Sequence, residues 1–322
     1  MPGRRVLITG IGSYLGTALA RALELDPEVE QVLGLDTRPP AAELEATELI
    51  DADIRDPGIA SLIPRTGVDT IVHNQIVRRA GPEMSARRMH DVNVIGSLQL
   101  LAACERVPTL RTIVVRGSAG IYGGEPAAPQ FVTEEMTRLY PLRTRFQRDV
   151  AEIENLFGTF ARRHPTVICT MLRYQHSIGP TVRTELAQYL SLPVVPTYLG
   201  FDPRIQVIHE TDALAALVAA VHRPVRGPVN VAAPGTIGLT RMVRLAGRPT
   251  LPIPSPLFVN ATEVGRRLGL VNFSPDFRRL LRYGRGVDTT RLREEVGFTP
   301  RYTTLAAVED HVAGRERAVA AA

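Results

Sequence analysis

The chain has 322 residues, 44% apolar and 22% charged, a globular balance long enough to bury roughly three-quarters of its unfolded surface. No apolar run approaches the roughly 20 residues of a membrane helix, and the opening MPGRRVLITG leaves no room for a signal peptide, so a cytoplasmic protein without a membrane partner is expected. The net charge of +5 rests on 38 basic residues, all arginine, scattered and not interleaved with aromatics, which argues against a nucleic-acid partner.

Lacking lysine altogether, the chain has no Schiff-base amine, no Walker-type phosphate lysine and no lysine acid. Its two cysteines show no CxxC spacing. Cys104 falls in a helical pattern and Cys169 in an apolar strand, so buried structural thiols are expected, and no metal site.

In chain order, β-branched runs predict strands at 5–9, 31–36, 47–51, 70–73, 112–116 and 167–173. Amphipathic stretches predict helices at 14–25, 58–62, 84–106 and 143–164. Strands alternating with helices give right-handed crossovers and a parallel sheet covered on both faces, the α/β doubly wound (Rossmann) class. The second half is richer in proline: SLPVVPTYLGFDPR, PVNVAAPG and RPTLPIPSPLF cannot continue a helix. Helical patterns recur at 184–190, 211–221, 262–268 and 289–296, and strand patterns at 206–209 and 229–231. The expected division is a nucleotide-binding domain over 1–178, to which 206–232 returns. A smaller substrate lobe is expected over 179–205 and 233–322.

VLITGIGSYLG joins a strand, a glycine turn and a helix start. Gly10 permits the tight strand exit and Gly16 lets the helix pack closely. Between them Gly12, Ser13, Tyr14 and Leu15 offer helix-terminal amides to a pyrophosphate. Asp36 ends the second strand about 20 residues past Gly16, where a carboxylate accepts from ribose hydroxyls. That charge repels a 2′-phosphate and favours NAD over NADP, although Arg38 two residues on keeps NADP open. A β-α-β unit without nucleotide is the alternative.

Further pieces recur in an order that resembles the extended short-chain dehydrogenase/reductase family, the group of NAD-dependent epimerases and dehydratases acting on nucleotide sugars. TGIGSYLG resembles the TGxxGxxG turn, with Ser13 at the middle glycine, and ADIRD, with Asp53 and Ile54, resembles the adenine-holding segment. IVHNQIV resembles IVHLAA, bringing Asn74 and Gln75 to a strand end with Arg78 just beyond. VNVIGSLQLLAA with Asn93, GSAGIYG, LRYQHSIGP, VIHETDALAAL and VDTTRLREEVGFTPRYT resemble later family segments in turn.

The resemblance implies an acid/base tyrosine four residues before a lysine that lowers its pKa, with a serine steadying the substrate oxygen. Ser118 stands at that serine, or is a structural serine closing a strand. FQRDVAEIE resembles YGxSKAEAE, which puts Phe146 at the tyrosine and Val150 at the lysine. An alternative register, Tyr140 and Thr144, also lacks the lysine. His176 replaces the asparagine of LRYFNVYGP, as an acid/base, a substrate hydrogen-bond donor or a satisfied loop histidine. Asp149 is expected to be solvated or salt-bridged. Tyr122, Tyr174 and His73 are expected to pack, and His209 to cap a strand. The resemblance also implies arginines gripping a nucleotide diphosphate. Ile205 stands at one such place with Arg204 beside it, and Arg285 near another. The SLPVVP segment suits an apolar or smaller ligand. Two readings follow: an NAD-dependent epimerase or dehydratase with an atypical acid/base, or an NAD(H)-binding sensor or scaffold without turnover. The partner is a small-molecule substrate, a nucleotide sugar among the candidates. The resemblance implies a homodimer through helices 84–106 and 143–164.

Overall fold

A computed structural model of the chain describes residues 3–78, 84–136, 139–258 and 273–320. Six strands precede the sheet's last member: β1 (Arg4–Thr9), β2 (Val29–Asp36), β3 (Glu48–Asp51), β4 (Thr70–His73), β5 (Thr112–Ser118) and β6 (Ile168–Tyr174). With Gly227–Val231 they form a seven-stranded sheet, parallel throughout, in the order Gly227–Val231, β6, β5, β4, β1, β2, β3. The order reverses at β1, which lies between β4 and β2. That switch point opens a crevice at the carboxyl ends of the strands, where α/β sheets bind ligands.

Alternation along β1 explains the two covered faces. Val6 and Ile8 join a buried cluster with Leu19 and Leu23 of helix Tyr14–Glu24 and Leu217 of helix Glu210–His222. Leu7 points the other way, into a cluster with Leu100 of helix Gly96–Cys104 and Ile153 and Phe157 of helix Arg145–Arg163. Arg145–Arg163 starts with a capping box, Thr144 Oγ1 accepting from Gln147 N while the Gln147 side chain accepts from Thr144 N. Cys104 and Cys169 are buried and free, and burial pushes both thiols up, Cys169 to about 11.

A third buried cluster, containing Tyr189, Ile205, Leu239, Phe273, Phe277 and Leu280, forms the second lobe. The prolines there do more than break helices. Val195–Tyr198 and Thr250–Ile253, each carrying proline, pair as a two-stranded parallel ribbon, a place where edge strands tolerate the missing N–H. The predicted strand 206–209 is two short pieces, Arg204–Ile205 and Val207–His209. Helices Leu239–Leu245, Pro275–Tyr283 and Thr304–Ala320 were not among the expected elements. The helix expected over 262–268 lies outside the described residues. Among the described residues no helix is long and apolar enough to cross a membrane.

Candidate functional site

The glycine turn has the geometry of an anion cradle. Gly10 adopts φ +74°, and a Cβ there would meet Gln75 Cα at 2.9 Å. A Cβ on Gly16 would stand 2.3 Å from the Gly10 carbonyl oxygen, so the helix start sits directly on the turn. Ser13 is the N-cap: its Oγ accepts from Gly16 N at 3.1 Å and donates to Gly10 O at 2.8 Å. With Gly16 satisfied, the Tyr14 and Leu15 amides have no intrahelical acceptor and carry the positive end of the helix. The Asp36 carboxylate is buried beneath the turn, Oδ2 accepting from Gly12 N and Oδ1 from Arg38 N, both at 3.1 Å. Arg38 Nε stands 3.7 Å from Asp36 Oδ1 with most of its side chain exposed. Asp36 and Arg38 line a cavity of about 250 Å³ with Ile11, Gly34 and Leu49.

The loop after β4 closes the turn from the other side. Asn74 Nδ2 donates to Ser13 Oγ at 2.9 Å and to Gly10 O at 3.3 Å, while its Oδ1, like Gln75 Oε1, is buried without a partner among the described residues. Asn93 is fully buried, its Oδ1 accepting from Val77 N and its Nδ2 donating to Val77 O. It lies in a π-turn, Asp91–Ile95, that splits the helix expected over 84–106 into Ala86–His90 and Gly96–Cys104. The extra residue in that turn re-aims one side chain without ending the helix, a device common at functional sites. His73 is buried between Thr9 Oγ1 (2.8 Å) and Ser97 Oγ (3.0 Å), and desolvation pulls its imidazole down to about 4. It is a core histidine.

Between this loop and the second lobe lies a cleft of about 570 Å³, lined by Tyr14, Leu15, Arg38, Arg78, Arg116, His176 and Glu210 among others. Its mouth is bridged where Thr181 Oγ1 donates to Tyr14 Oη at 2.9 Å. Glu210 holds the strand of chain on that side by accepting from the amides of Thr181 and Val182. Positive charge dominates the interior. Burial, then Arg116 and Arg285, push Arg78 down to about 9. Burial and the guanidiniums of Arg78 and Arg285 hold His176 well below the ordinary imidazole range, so it is neutral at neutral pH. A larger groove, about 870 Å³, runs past Arg5, Gln31 and Arg65 and along β3 to Asp51 and Asp53. Volume and chemistry disagree here. The chemistry decides, because the Tyr14 and Leu15 helix start and the buried Arg78, Arg116 and His176 meet at the smaller cleft.

Ser118 ends β5, nearly fully buried, its Oγ accepting from Gly120 N at 3.0 Å. A Cβ placed on Gly120 would stand 3.0 Å from Ser118 Oγ, 3.1 Å from Phe146 Cε1 and 3.3 Å from Asp276 Oδ2. Hydroxyl, ring and carboxylate therefore converge on one point. Val150, one turn along from Phe146, is buried in an apolar cluster with Ala119, Ile121 and Val287. Tyr122 Oη donates to Asn230 Oδ1 and accepts from Arg173, whose guanidinium pairs with Glu154 at 2.6 Å. This network joins β6 to helix Arg145–Arg163 and leaves Tyr122 pushed up to about 12, chiefly by burial.

Residues 6–232 match the family described as NAD dependent epimerase/dehydratase. The chain belongs to that family. It is 36% identical over 319 residues to an uncharacterized protein of Mycobacterium tuberculosis, covering 96% of this chain and 84% of the relative. The structure is similar to dTDP-glucose 4,6-dehydratase of Bacillus anthracis, solved in complex with NAD, with a TM-score of 0.72, 16% identity, and 98% and 97% of the two chains covered. It is also similar to UDP-glucuronic acid 4-epimerase of Bacillus cereus in complex with NAD, with a TM-score of 0.73, 15% identity, and 98% and 99% covered. At these identities the likeness is one of fold.

Within this epimerase/dehydratase-family chain, the structure gathers Gly10, Gly12, Ser13, Tyr14, Leu15, Gly16, Asp36, Arg38, Asn74, Gln75 and Arg78 around the switch point, and His176 across the cleft from them. Asn93 acts one step back, on Val77. Asp53 and Ile54 are placed apart. Asp53 is clamped by Arg55 and lines the outer groove, and Ile54 is fully buried against Gly96. His209 closes strand Val207–His209, as expected, and also caps helix Glu210–His222, accepting from Thr211 N and stacking on Tyr302. Asp149 is buried and paired with His90 at 2.8 Å. Ile205 is core, and Arg204 and Arg285 line a second cavity of about 210 Å³ with Tyr122 and Tyr283. Sequence reasoning missed Arg116, Glu210 and Asp276. For Asp276 a signal existed, since Ser274-Pro275 is an N-cap followed by proline at the first helical position.

Proposed function

We propose that this protein binds NAD at the switch point and carries out epimerase- or dehydratase-type oxidoreduction on a small molecule bearing a hydroxyl or carbonyl group. The observation that carries the reading is the turn from Gly10 to Gly16, with the helix-start amides of Tyr14 and Leu15, which have no intrahelical acceptor, above the buried Asp36 carboxylate. The residues fit a dinucleotide on independent grounds: Asn74 Oδ1 and Gln75 Oε1 are buried acceptors that lack a donor among the described residues. In this reading the Tyr14 and Leu15 amides receive the pyrophosphate and Asp36 the adenosine ribose hydroxyls. Asn74, Gln75 and Arg78 flank the ring end, with Asn93 fixing their loop. Bound NAD supplies a hydride acceptor, and its reduced form a hydride donor. Ser118 orients the substrate oxygen, His176 offers a neutral imidazole, and the mouth at Tyr14 and Thr181 excludes water. Asp53 and Ile54, which follow the Ile50 and Asp51 lining of the Asp36 cavity, flank the adenine side.

The relatives of known fold are named for dTDP-glucose and UDP-glucuronic acid, which supports a nucleotide sugar as the first substrate class to try. Residues 1–178 with 206–232 would carry the cofactor, and 179–205 with 233–322 the substrate. A homodimer through the two long helical segments is supported by Ile95 and Leu98, large apolar side chains left 38% and 46% exposed. A cytoplasmic setting belongs to the same proposal. Calorimetric titration with NAD and NADP, then NADH absorbance against a panel of nucleotide sugars and small ketones, tests it. Absence of NAD binding sinks the reading.

One observation favours a second reading, an NAD(H) sensor or scaffold. Phe146 and Val150 are apolar and buried where the family resemblance implies tyrosine and lysine. Preferential binding of one redox form without turnover anywhere in the panel would select it.

A further inference from the structure

A carboxylate from the other lobe faces the same point beside Gly120 as Ser118 Oγ does. Ser274 Oγ caps the helix by accepting from Phe277 N at 3.2 Å, and Pro275 starts it, so Asp276 sits in the first turn. Helix-terminal acids usually stand in water and share in capping. Here Ser274 already caps, and Asp276 is only 6% exposed. Its Oδ2 lies against Gly120 beside Ser118 Oγ and the Phe146 ring, and its Oδ1 has no hydrogen-bond partner among the described residues. Among the described residues the cation paired with it is Arg285 at 4.0 Å, beyond hydrogen-bonding reach, and Arg285 is already donating to Gln175 Oε1 and Gly123 O. The neighbouring Phe277 packs its ring edge-on to His176, which lines the 570 Å³ cleft, while Arg285 lines the 210 Å³ cavity. Asp276 is thus buried beside Gly120, flanked by Phe277, which touches a residue of one space, and Arg285, which lines the other, with one oxygen lacking a partner among the described residues.

We propose that Asp276 is the acid/base residue of this cleft, exchanging through Oδ1 the proton of a substrate oxygen held beside Ser118. The proposal rests on the NAD reading above. In the oxidising direction the substrate O–H bond breaks and its proton passes to Asp276 Oδ1. The C–H bond breaks with its electron pair, which leaves as hydride for bound NAD, and the substrate carbon becomes a carbonyl. Reversal returns the proton from Asp276. Phe146 contributes a wall and no proton. Several groups set the carboxyl's proton affinity. Burial pushes it up, and the guanidiniums of Arg285, Arg78 and Arg279 pull it down. His176 is neutral, and the Glu185 carboxylate accepts from Ser274 N at 2.7 Å at the same helix start. The net direction is up, toward a carboxyl that can hold a proton nearer neutral pH.

The test is proton linkage. A positive nicotinamide entering the cleft favours the ionised carboxyl, so across a series of pH values that reaches down to where the carboxyl holds its proton, NAD binding should expel a proton that neutral-ringed NADH does not. Calorimetric titration of NAD and of NADH in buffers of different ionisation enthalpy counts the protons released. Wild type should release protons with NAD and fewer with NADH. Asp276→Asn should bind NAD with that release lost, and Asp276→Glu, which keeps a carboxyl, should restore it. Release from Asp276→Asn equal to wild type overturns the assignment and leaves NAD binding standing. Failure of wild type to bind NAD at all overturns both.

Discussion

Replacing Asp36 with alanine removes the carboxylate that holds Gly12 N and Arg38 N and that would grip the adenosine ribose. A hydrogen bond to a charged group contributes about 1.5–3 kcal/mol, so losing the ribose contact weakens NAD about 10- to 150-fold. NADP behaves differently. Its 2′-phosphate no longer meets a carboxylate, and Arg38, no longer 3.7 Å from Asp36, becomes available to it. The Asp36→Ala variant should therefore lose NAD affinity by this factor while the NAD-to-NADP preference collapses or inverts. Calorimetry with both dinucleotides measures it, with thermal melting as a check that the turn still forms. Unchanged NAD affinity, or equal loss for NAD and NADP, would refute the assignment of Asp36 to the ribose.

Three further outcomes follow from buried contacts. Asn93→Ala strips both Val77 bonds inside a sealed site and should destabilise the fold by about 1–3 kcal/mol, read in urea, with weaker NAD binding as the loop after β4 loosens. Val150→Lys places an ammonium among Ala119, Ile121 and Val287 and should cost several kcal/mol, whereas Phe146→Tyr should fold normally; a stable lysine variant would contradict the described packing. His73 has a folded-state affinity for protons below its unfolded one, so its contribution is full above about pH 6.5 and is lost as pH falls toward 4. Urea midpoints of wild type against His73→Gln across that window should show about 3 kcal/mol of acid sensitivity specific to the histidine.

The sheet was readable because its signals are local. β-branched runs, the glycine turn and Asp36 each declare themselves within a few residues, and all six predicted first-half strands lie within two residues of their observed ends at both termini. The second lobe was less readable because its elements are short and proline-bearing. Val195–Tyr198 becomes a strand only because Thr250–Ile253, far away in sequence, pairs with it. The site divides the same way. Asp36 and Ser118 could be placed by position in a strand. Asp276 could not, because its role depends on which lobe surface meets Gly120, a contact between residues 156 positions apart that no periodicity encodes.

A tyrosine–lysine pair does two jobs at once: the ammonium holds positive potential in the cleft, and the phenol moves the proton. This chain has no lysine with which to couple them. The potential falls instead to Arg78, Arg116 and Arg285, and a guanidinium, even pushed down to about 9, stays charged at neutral pH and gives up nothing. Arginine can therefore replace the field but never the proton. That leaves the proton to a group that the arginines steady without ever exchanging with it. Among the residues that converge on Ser118, Phe146 has none to offer, and the remaining one is a carboxyl that burial raises and arginines restrain. Separating the two jobs also changes what sets the pH response. A phenol lowered by a neighbouring charge approaches neutrality from above, and a buried carboxyl approaches it from below, so return of the proton in the reducing direction should weaken on the alkaline side, where Asp276 has no proton left to give.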